Sequence, residues 1–355
     1  MRYLYLYTSP GSYTAAVLRA LVKQANTELL LVHYPTSNNA PLSDECFSGI
    51  PTLCVSPKAS HSELMTIYEE FKPDVLLISG WIDKRYLKIA RHARRSGVLT
   101  IAGSDTQWRG SARQLLARFI APSMLKPAID VLWVPGCRQK TLAMNLGYRN
   151  NSVWDGHLCC DWDKFCYPEE TIDQFSNRDK AFIFSGRLVE EKGLSTLLLA
   201  YKNYRKTSKE PWELWCAGTG PLASMLSGMD GVSALGFLQV NELAALMKKA
   251  SAFILPSHFE PWGLVVQEAA AAGLPLILSH EVGAGEHLLR DGFNGFSTTT
   301  GNVNSLTDAM LRIESMEINQ RYTMGRKSYQ LSCQYLPGNW ASKLVRESEL
   351  RLKKQ

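Results

Sequence analysis

No apolar run in these 355 residues reaches the roughly 20 residues a membrane-spanning helix needs, so no span is expected. The opening Met1-Arg2-Tyr3-Leu4-Tyr5-Leu6-Tyr7 is too short and too tyrosine-rich for a secretory leader and reads as a first strand. These two absences place the expected protein in the cytoplasm. The eight cysteines lack regular spacing, and reduced thiols are the default for a cytoplasmic chain. Cys159, Cys160 and Cys166, with His157 beside them, come nearest to a cluster, yet adjacent cysteines with the third six positions on lack a zinc spacing. No metal site is assigned. Internal repeats and low-complexity tracts are missing as well. So is a strong charge of one sign: 39 Lys and Arg against 33 Asp and Glu leave +6. That balance suits an anionic ligand or an anionic membrane surface and falls short of a nucleic-acid footprint.

What is present is an ordinary globular composition, 45% hydrophobic and 20% charged, in a chain longer than one compact core usually is. Short apolar runs alternate with helical patterns throughout. In the first half the strand candidates are Tyr3–Tyr7, Leu29–His33, Thr52–Val55, Val75–Ser79, Val98–Ala102 and Val131–Val134. Helices are expected at Thr14–Gln24, Ser62–Phe71, Lys84–Arg95, Ala112–Ala121 and Arg138–Leu146. Strands apolar throughout, separated by amphipathic helices, imply a parallel sheet covered on both faces. Tyr167–Lys180 is polar and reads as an interdomain linker. The alternation then restarts with strands Ala181–Ser185, Glu213–Cys216, Val232–Leu235, Ala252–Leu255 and Pro275–Ser279. Helices Leu194–Arg205, Pro221–Ser227, Asn241–Lys249 and Leu264–Ala272 fall between them, and Trp340–Lys353 reads as a last amphipathic helix. The expected fold class is α/β: two Rossmann-like, doubly wound parallel-sheet domains, residues 1–166 and 167–335, facing across a cleft, with 336–355 as a helix packing back on the first.

Chemistry concentrates in the second half. Ser185-Gly186-Arg187-Leu188 leaves a strand, and Glu191-Lys192-Gly193 leads into the next helix. A glycine turn followed by two cations and a helix start suits a diphosphate, with Arg187 as a fork and Lys192 as a mobile point charge. Two solvated cations in a surface loop are the plain alternative. Pro256-Ser257-His258-Phe259-Glu260-Pro261-Trp262-Gly263 precedes the helix that carries Glu268, with Gly273 and Pro275 stopping that helix. The backbone N–H groups at this helix start form a second anion site. A carboxylate at Glu268, inside an otherwise apolar helix, is costly unless hydrogen-bonded, and a ribose diol suits it; pairing with a core amide is the alternative. Ser279–Glu286, with Gly283 and Gly285, is a weaker third element.

With these elements quoted, the chain resembles a retaining glycosyltransferase of the large family 4, whose fold is called GT-B. The matching segments are Ser185–Leu188 with Glu191–Gly193, Ala217-Gly218-Thr219-Gly220-Pro221-Leu222 and Leu235-Gly236-Phe237. Glu260 with Glu268, and Asp291-Gly292-Phe293-Asn294-Gly295, complete the set over roughly residues 180–300. The resemblance implies that Arg187 and Lys192 bind the diphosphate of a nucleoside-diphosphate sugar, either a UDP- or a GDP-sugar. Glu268 would hold the ribose, and Glu260 would face the transferred sugar and offset charge at its anomeric carbon. Amides of Gly263, Leu264 and Val265 would touch phosphate, Gly236 and Phe237 the base, and Gly186, Gly218 and Gly220 would line the pocket. The family needs no metal or other cofactor, because cations and helix dipoles neutralise the leaving group. Asp161-Trp162-Asp163, an Asp-x-Asp triplet, sits where members carry domain-junction structure.

The first half resembles the family in architecture only. Ser9-Pro10-Gly11-Ser12-Tyr13 takes the place of a glycine-rich loop, so Gly11 and Ser12 are acceptor-side candidates. Where members place a histidine, Gly103-Ser104-Asp105-Thr106-Gln107-Trp108 stands. Asp105 would orient the acceptor hydroxyl or, alternatively, cap the next helix. Trp81 and Trp108 would meet the acceptor sugar, with packing as the alternative for Trp81. Lys84–Arg95 carries six basic residues and no acid, and Arg113–Lys126 sets Leu115, Leu116, Phe119 and Ile120 at helical spacing. Both read as surfaces for an anionic membrane bearing lipid-linked acceptors, with solvated helix faces as the alternative. The expected activity is transfer of a sugar to a hydroxyl of a saccharide or lipid-linked acceptor in surface-polysaccharide or lipopolysaccharide synthesis. The competing readings are a degenerate nucleotide-sugar-binding protein and a sugar-nucleotide epimerase of the same fold.

Overall fold

The structure, a computed structural model, describes residues 1–35 and 44–353. The chain divides into two compact units, Met1–Cys159 with Leu336–Gln355, and Cys160–Tyr335. The first contains β1 (Arg2–Tyr7), α1 (Ser12–Val22), β2 (Glu28–His33), β3 (Thr52–Cys54), α2 (His61–Phe71), β4 (Val75–Ile78) and α3 (Lys84–Arg95). It continues with β5 (Leu99–Gly103), α4 (Ala112–Leu125), β6 (Val131–Trp133), α5 (Cys137–Asn145) and β7 (Val153–Trp154). All seven strands are parallel, in the order β3-β2-β1-β4-β5-β6-β7.

Alternation along β1 explains why this sheet is covered on both sides. Tyr3, Tyr5 and Tyr7 join one buried cluster with Leu77, Ile101 and Trp133, while Leu4 and Leu6 join another with Leu76, Ile78 and Leu132. Each such side chain contributes about 1.5–3 kcal/mol on burial.

The second unit contains α6 (Trp162–Phe165), α7 (Ile172–Ser176), β8 (Ala181–Ser185), α8 (Leu194–Thr207), β9 (Glu213–Ala217), β10 (Val232–Gly236) and α9 (Val240–Lys249). Then come β11 (Ala252–Leu255), α10 (Leu264–Ala271), β12 (Leu276–Ser279), α11 (Gly285–Leu288), β13 (Gly295–Thr298), α12 (Val303–Ser315) and α13 (Ile318–Ser332). Its parallel sheet runs β10-β9-β8-β11-β12-β13. The last helix, α14 (Pro337–Leu352), lies with the first unit. There Trp340 stacks on Trp133 with ring centroids 4.5 Å apart and donates from Nε1 to the His157 carbonyl at 2.7 Å.

Three expectations need correction. Tyr167–Lys180 is folded into the second unit, not a free linker: Arg178 forks onto Glu170 at 2.6 and 2.8 Å, and both side chains are almost wholly buried. Pro221–Ser227 shrinks to a single 3-10 turn at Ala223–Leu226. Its N–H groups are already engaged, Leu222 donating to the Leu188 carbonyl and Ala223 to that of Gly220. β7 and β13 were not expected. Gly295 opens β13 with φ +158° because a Cβ there would fall 1.9 Å from the Leu276 carbonyl oxygen on the adjacent strand.

Candidate functional site

The strand order places a crevice in the second unit. From β8 the chain runs outward through β9 and β10, then returns to lay β11 on the other side of β8. Loops leaving the carboxyl ends of β8 and β11 therefore turn opposite ways, and ligands of doubly wound sheets bind at such a switch point. Gly186, Arg187 and Lys192 leave β8, and Glu260 and Gly263 leave β11. Lys192 donates from Nζ to Glu260 Oε2 across that point, with 11% and 12% of the two side chains exposed.

Backbone bonds fix this pair. The N–H groups of His258 and Phe259 donate to the Glu191 carbonyl at 2.8 and 3.2 Å, tying the β11 loop to the β8 loop. On the other side Glu260 donates to the Glu281 carbonyl at 3.3 Å, and Gly283 donates to that of Glu260 at 3.0 Å. The Ser279–Glu286 stretch thus acts as the outer support of Glu260. Thr196 Oγ1 and His258 Nε2, 3.0 Å apart, add a side-chain tie; neither residue was singled out from sequence.

Arg187 behaves differently from Lys192. Its side chain is 67% exposed, with Glu191 at 3.6 Å as its ion partner. An exposed pair of that kind is weak, so the guanidinium is available to a ligand. The 3-10 turn Glu190–Lys192 turns Lys192 inward and leaves Arg187 outside. Gly218, at φ +138°, lies so close to Gly186 that a Cβ would sit 1.9 Å from the Gly186 carbonyl oxygen. Gly218 also donates to the Gly236 carbonyl at 2.7 Å, so the loops after β8, β9 and β10 are laced together. Gly220 closes against Leu188, while Phe237 stands 41% exposed beyond Gly236.

Helix α10 starts from Gly263 at φ +94°. The N–H groups of Gly263, Leu264 and Val265 find no acceptor among the described residues. They form a positive end directed at whatever occupies the crevice. Glu268 lies on the same helix, half-buried, and its carboxylate likewise has no partner among the described residues. The core-amide pairing considered for it is therefore not what the fold provides. Burial, with the Asp161 carboxylate nearby, pushes its carboxyl up from 4.5 to about 7. Asp161 and Asp163 diverge, the first buried and 3.7 Å from Lys164, the second exposed.

A carboxyl held above its unfolded value contributes stability that is complete below pH 4.5 and lost as pH rises through about 7. Glu268→Gln is expected to stabilise the ligand-free protein by about 1–2 kcal/mol near pH 8, the full shift being discounted because the site is only half-buried. Near pH 5 the gain should be much smaller. Thermal melts of both proteins at the two pH values check this, and equal gains would contradict it.

In the first unit Gly11 precedes α1 and Ser12 opens it, and Gly11 N donates to Thr14 Oγ1 at 3.2 Å. Trp81 and Trp108 are half-buried and pack against the hydrophobic core. Asp105 is exposed and its carbonyl accepts from Gln139 Nε2 at 3.2 Å. The cap of α4 is Ser111, six residues further on, so the capping alternative for Asp105 is not what the fold uses. His157 is buried so tightly against the end of β5 that a Cβ on Gly103 would meet its Nε2 at 2.3 Å. Burial alone pulls its imidazole down to about 4, leaving it neutral.

The model of the family described as Glycosyl transferases group 1 matches residues 169–331. Glycogen synthase of Mycobacterium tuberculosis is 36% identical over 135 residues, covering 36% of this chain and 32% of its own length. The GDP-mannose-dependent alpha-mannosyltransferase of Corynebacterium glutamicum is 25% identical over 295 residues, covering 75% of this chain and 62% of its own. The chain thus spans about a third of the glycogen synthase it matches. Among solved structures, Anabaena HepE in complex with UDP and glucose superposes with a TM-score of 0.74 at 15% identity, over 99% of this chain and 100% of that one. Residues 169–331 of this chain are thus similar to the Glycosyl transferases group 1 family, and the fold is GT-B.

Proposed function

We propose that the chain is a metal-independent, retaining glycosyltransferase of the family-4 type. It would move a sugar from a nucleoside-diphosphate sugar, a UDP- or GDP-sugar, to a hydroxyl of a saccharide or lipid-linked acceptor. The observation that carries this reading is the Lys192–Glu260 pair at the switch point of the second sheet, beside the unpartnered N–H groups that open α10. Lys192, Arg187 and those N–H groups would neutralise the charge developing on the leaving diphosphate, which removes the need for a cation. Glu260, oriented by Lys192, would stabilise positive charge at the anomeric carbon. Glu268 would accept from the ribose hydroxyls, which would replace the water its carboxylate lacks in a half-buried site. A leaving phosphate oxygen would take the acceptor's proton on the same face, so the configuration is kept without a protein base. Gly11, Ser12, Trp81, Asp105 and Trp108 are assigned to the acceptor.

The relatives' names support the donor class: one is GDP-mannose-dependent, and HepE was solved with UDP and glucose. Incubating the purified protein with UDP-glucose and GDP-mannose, with and without simple saccharides, tests the activity. Release of nucleoside diphosphate supports transfer or hydrolysis. Tight nucleotide-sugar binding without turnover of either donor would instead mark a binding protein.

Assembly of cell-surface polysaccharide or lipopolysaccharide, at the inner face of the membrane, is the setting proposed. No helix among the described residues is long and apolar enough to cross a membrane. Helix α4 nevertheless exposes Leu116 by 61%, Phe119 by 78% and Met124 by 50%. Beside it runs the basic α3, whose Arg91 donates to the Met124 carbonyl at 3.2 Å. An apolar stripe next to a basic face suits an anionic lipid surface. Phe119→Glu is expected to weaken co-sedimentation with phosphatidylglycerol vesicles about tenfold. Unchanged pelleting would remove the membrane from this account.

A further inference from the structure

A second concentration of positive charge lies in the first unit, away from the loops assigned to the acceptor. Arg94, Lys126, Arg149 and Arg351 line one cavity of about 510 Å³, together with Asp130 and Tyr148. Arg94 precedes β5, Lys126 and Asp130 precede β6, and Arg149 precedes β7. The cavity therefore sits at the amino ends of these strands. The loops carrying Trp81 and Asp105 leave the carboxyl ends of β4 and β5, on the opposite edge of the same sheet.

Charge in this cavity is not balanced by the protein. Its single carboxylate, Asp130, accepts from Arg94 Nε at 2.6 Å through one oxygen. The other oxygen is occupied by the Thr100 N–H and hydroxyl at 3.0 and 2.9 Å. Asp130 is thereby committed to Arg94 and to the β5 backbone. Arg351 donates to the Asn151 carbonyl, a neutral partner. Lys126 Nζ and the Arg149 guanidinium have no acceptor among the described residues. Three cations from positions 126, 149 and 351 thus converge without a counter-charge among the described residues. Because they come from three separate segments, the fold itself assembles the cluster, and no single basic helix accounts for it. Like charges brought together repel, and an anion with several acceptor oxygens relieves that repulsion while using the guanidinium forks. Tyr148, buried and fixed by its hydroxyl to the Ile129 carbonyl at 3.2 Å, forms a rigid wall. The volume falls in the range of small-molecule sites and leaves room for more than a bare phosphate.

We propose that this cavity is a second anion site, separate from the switch-point crevice, that takes a phosphate-bearing ligand. A phosphorylated sugar in solution and a phospholipid head group share the chemistry required. The inference does not rest on the sugar-transfer reading.

Because the switch-point crevice also attracts phosphate, the test begins from an Arg187→Ala/Lys192→Ala background of the full chain. Inorganic phosphate and glucose 6-phosphate are titrated against thermal stability at constant ionic strength. In parallel, pelleting is measured with vesicles of phosphatidylcholine alone and with added phosphatidic acid. Adding Lys126→Ala/Arg149→Ala to that background is expected to cut the apparent affinity for the phosphate-bearing probe at least about tenfold, the scale of losing charged hydrogen bonds. Loss confined to the soluble probes identifies a metabolite site, and loss confined to the phosphatidic acid vesicles a head-group site. Both side chains are exposed and without partners among the described residues, so the melting temperature without ligand should hold. Unchanged response to both soluble probes and to the vesicles, in a variant that melts normally, overturns the proposal.

Discussion

Lys192→Ala is expected to lower sugar transfer by roughly 10²–10³-fold, the range seen when one preorganised donor to a developing charge is lost. The size follows from where the ammonium sits. It is nearly buried at the switch point and bonded to Glu260, itself nearly buried. Removing it would delete a cation from the proposed diphosphate site and leave Glu260 without its ion partner. Glu260→Gln keeps a hydrogen-bond acceptor for Lys192 but removes the negative charge. Its effect should therefore fall on turnover, with nucleotide affinity close to that of the parent. Turnover and nucleotide binding measured on both variants separate the two roles. A Lys192→Ala protein that transfers sugar at the parental rate would show that the pair is structural only.

Arg178→Ala should be the most damaging change to the fold itself. The guanidinium forks onto Glu170 and also donates to the Ala250 and Ala272 carbonyls at 3.1 and 2.8 Å. With 2% and 1% of the two side chains exposed, no water replaces the lost partner. Deleting one member of a buried pair typically costs about 3–5 kcal/mol, because the other charge is left uncompensated. For a unit of this size that corresponds to a fall on the order of 10 °C in melting temperature. Changing Glu170 to Leu in the same protein should recover a substantial part, since an apolar replacement of both partners is often tolerated. A single variant that melts within about 2 °C of the parent would contradict the assignment.

The same pair shows where sequence reading stops. Polarity and turn residues in Tyr167–Lys180 suggest solvent, and nothing in the pattern says that Glu170 and Arg178 neutralise each other inside the unit. Strands are easier to read because central parallel strands are largely apolar and buried on both faces, as β4, β8, β11 and β12 are buried from end to end. β7, of two residues, carries no period to detect. Pro221–Ser227 has local helical character, but the loop after β8 claims the Leu222 N–H, a tertiary effect, and the rest closes in three-residue turns. At the site, order and spacing identify the loops but not the direction of each side chain. Arg187 and Lys192 look equivalent in sequence, whereas one faces solvent and the other meets Glu260. The influence of Asp161 on Glu268 joins positions 107 apart and has no sequence signature. Acceptor-side residues remain the least legible, since Trp81 and Trp108 have the burial of packing residues whatever else they contact.

The central claim is that the loops after β8 and β11 form a diphosphate site, and calorimetric titration with UDP and GDP tests it most directly. The account predicts that at least one of them binds the parent protein. It also predicts that Arg187→Ala weakens this binding by about 1.5–3 kcal/mol, the scale of a charged hydrogen bond. Failure of both nucleotides to bind, or equal affinity in the parent and the Arg187→Ala protein, would contradict it.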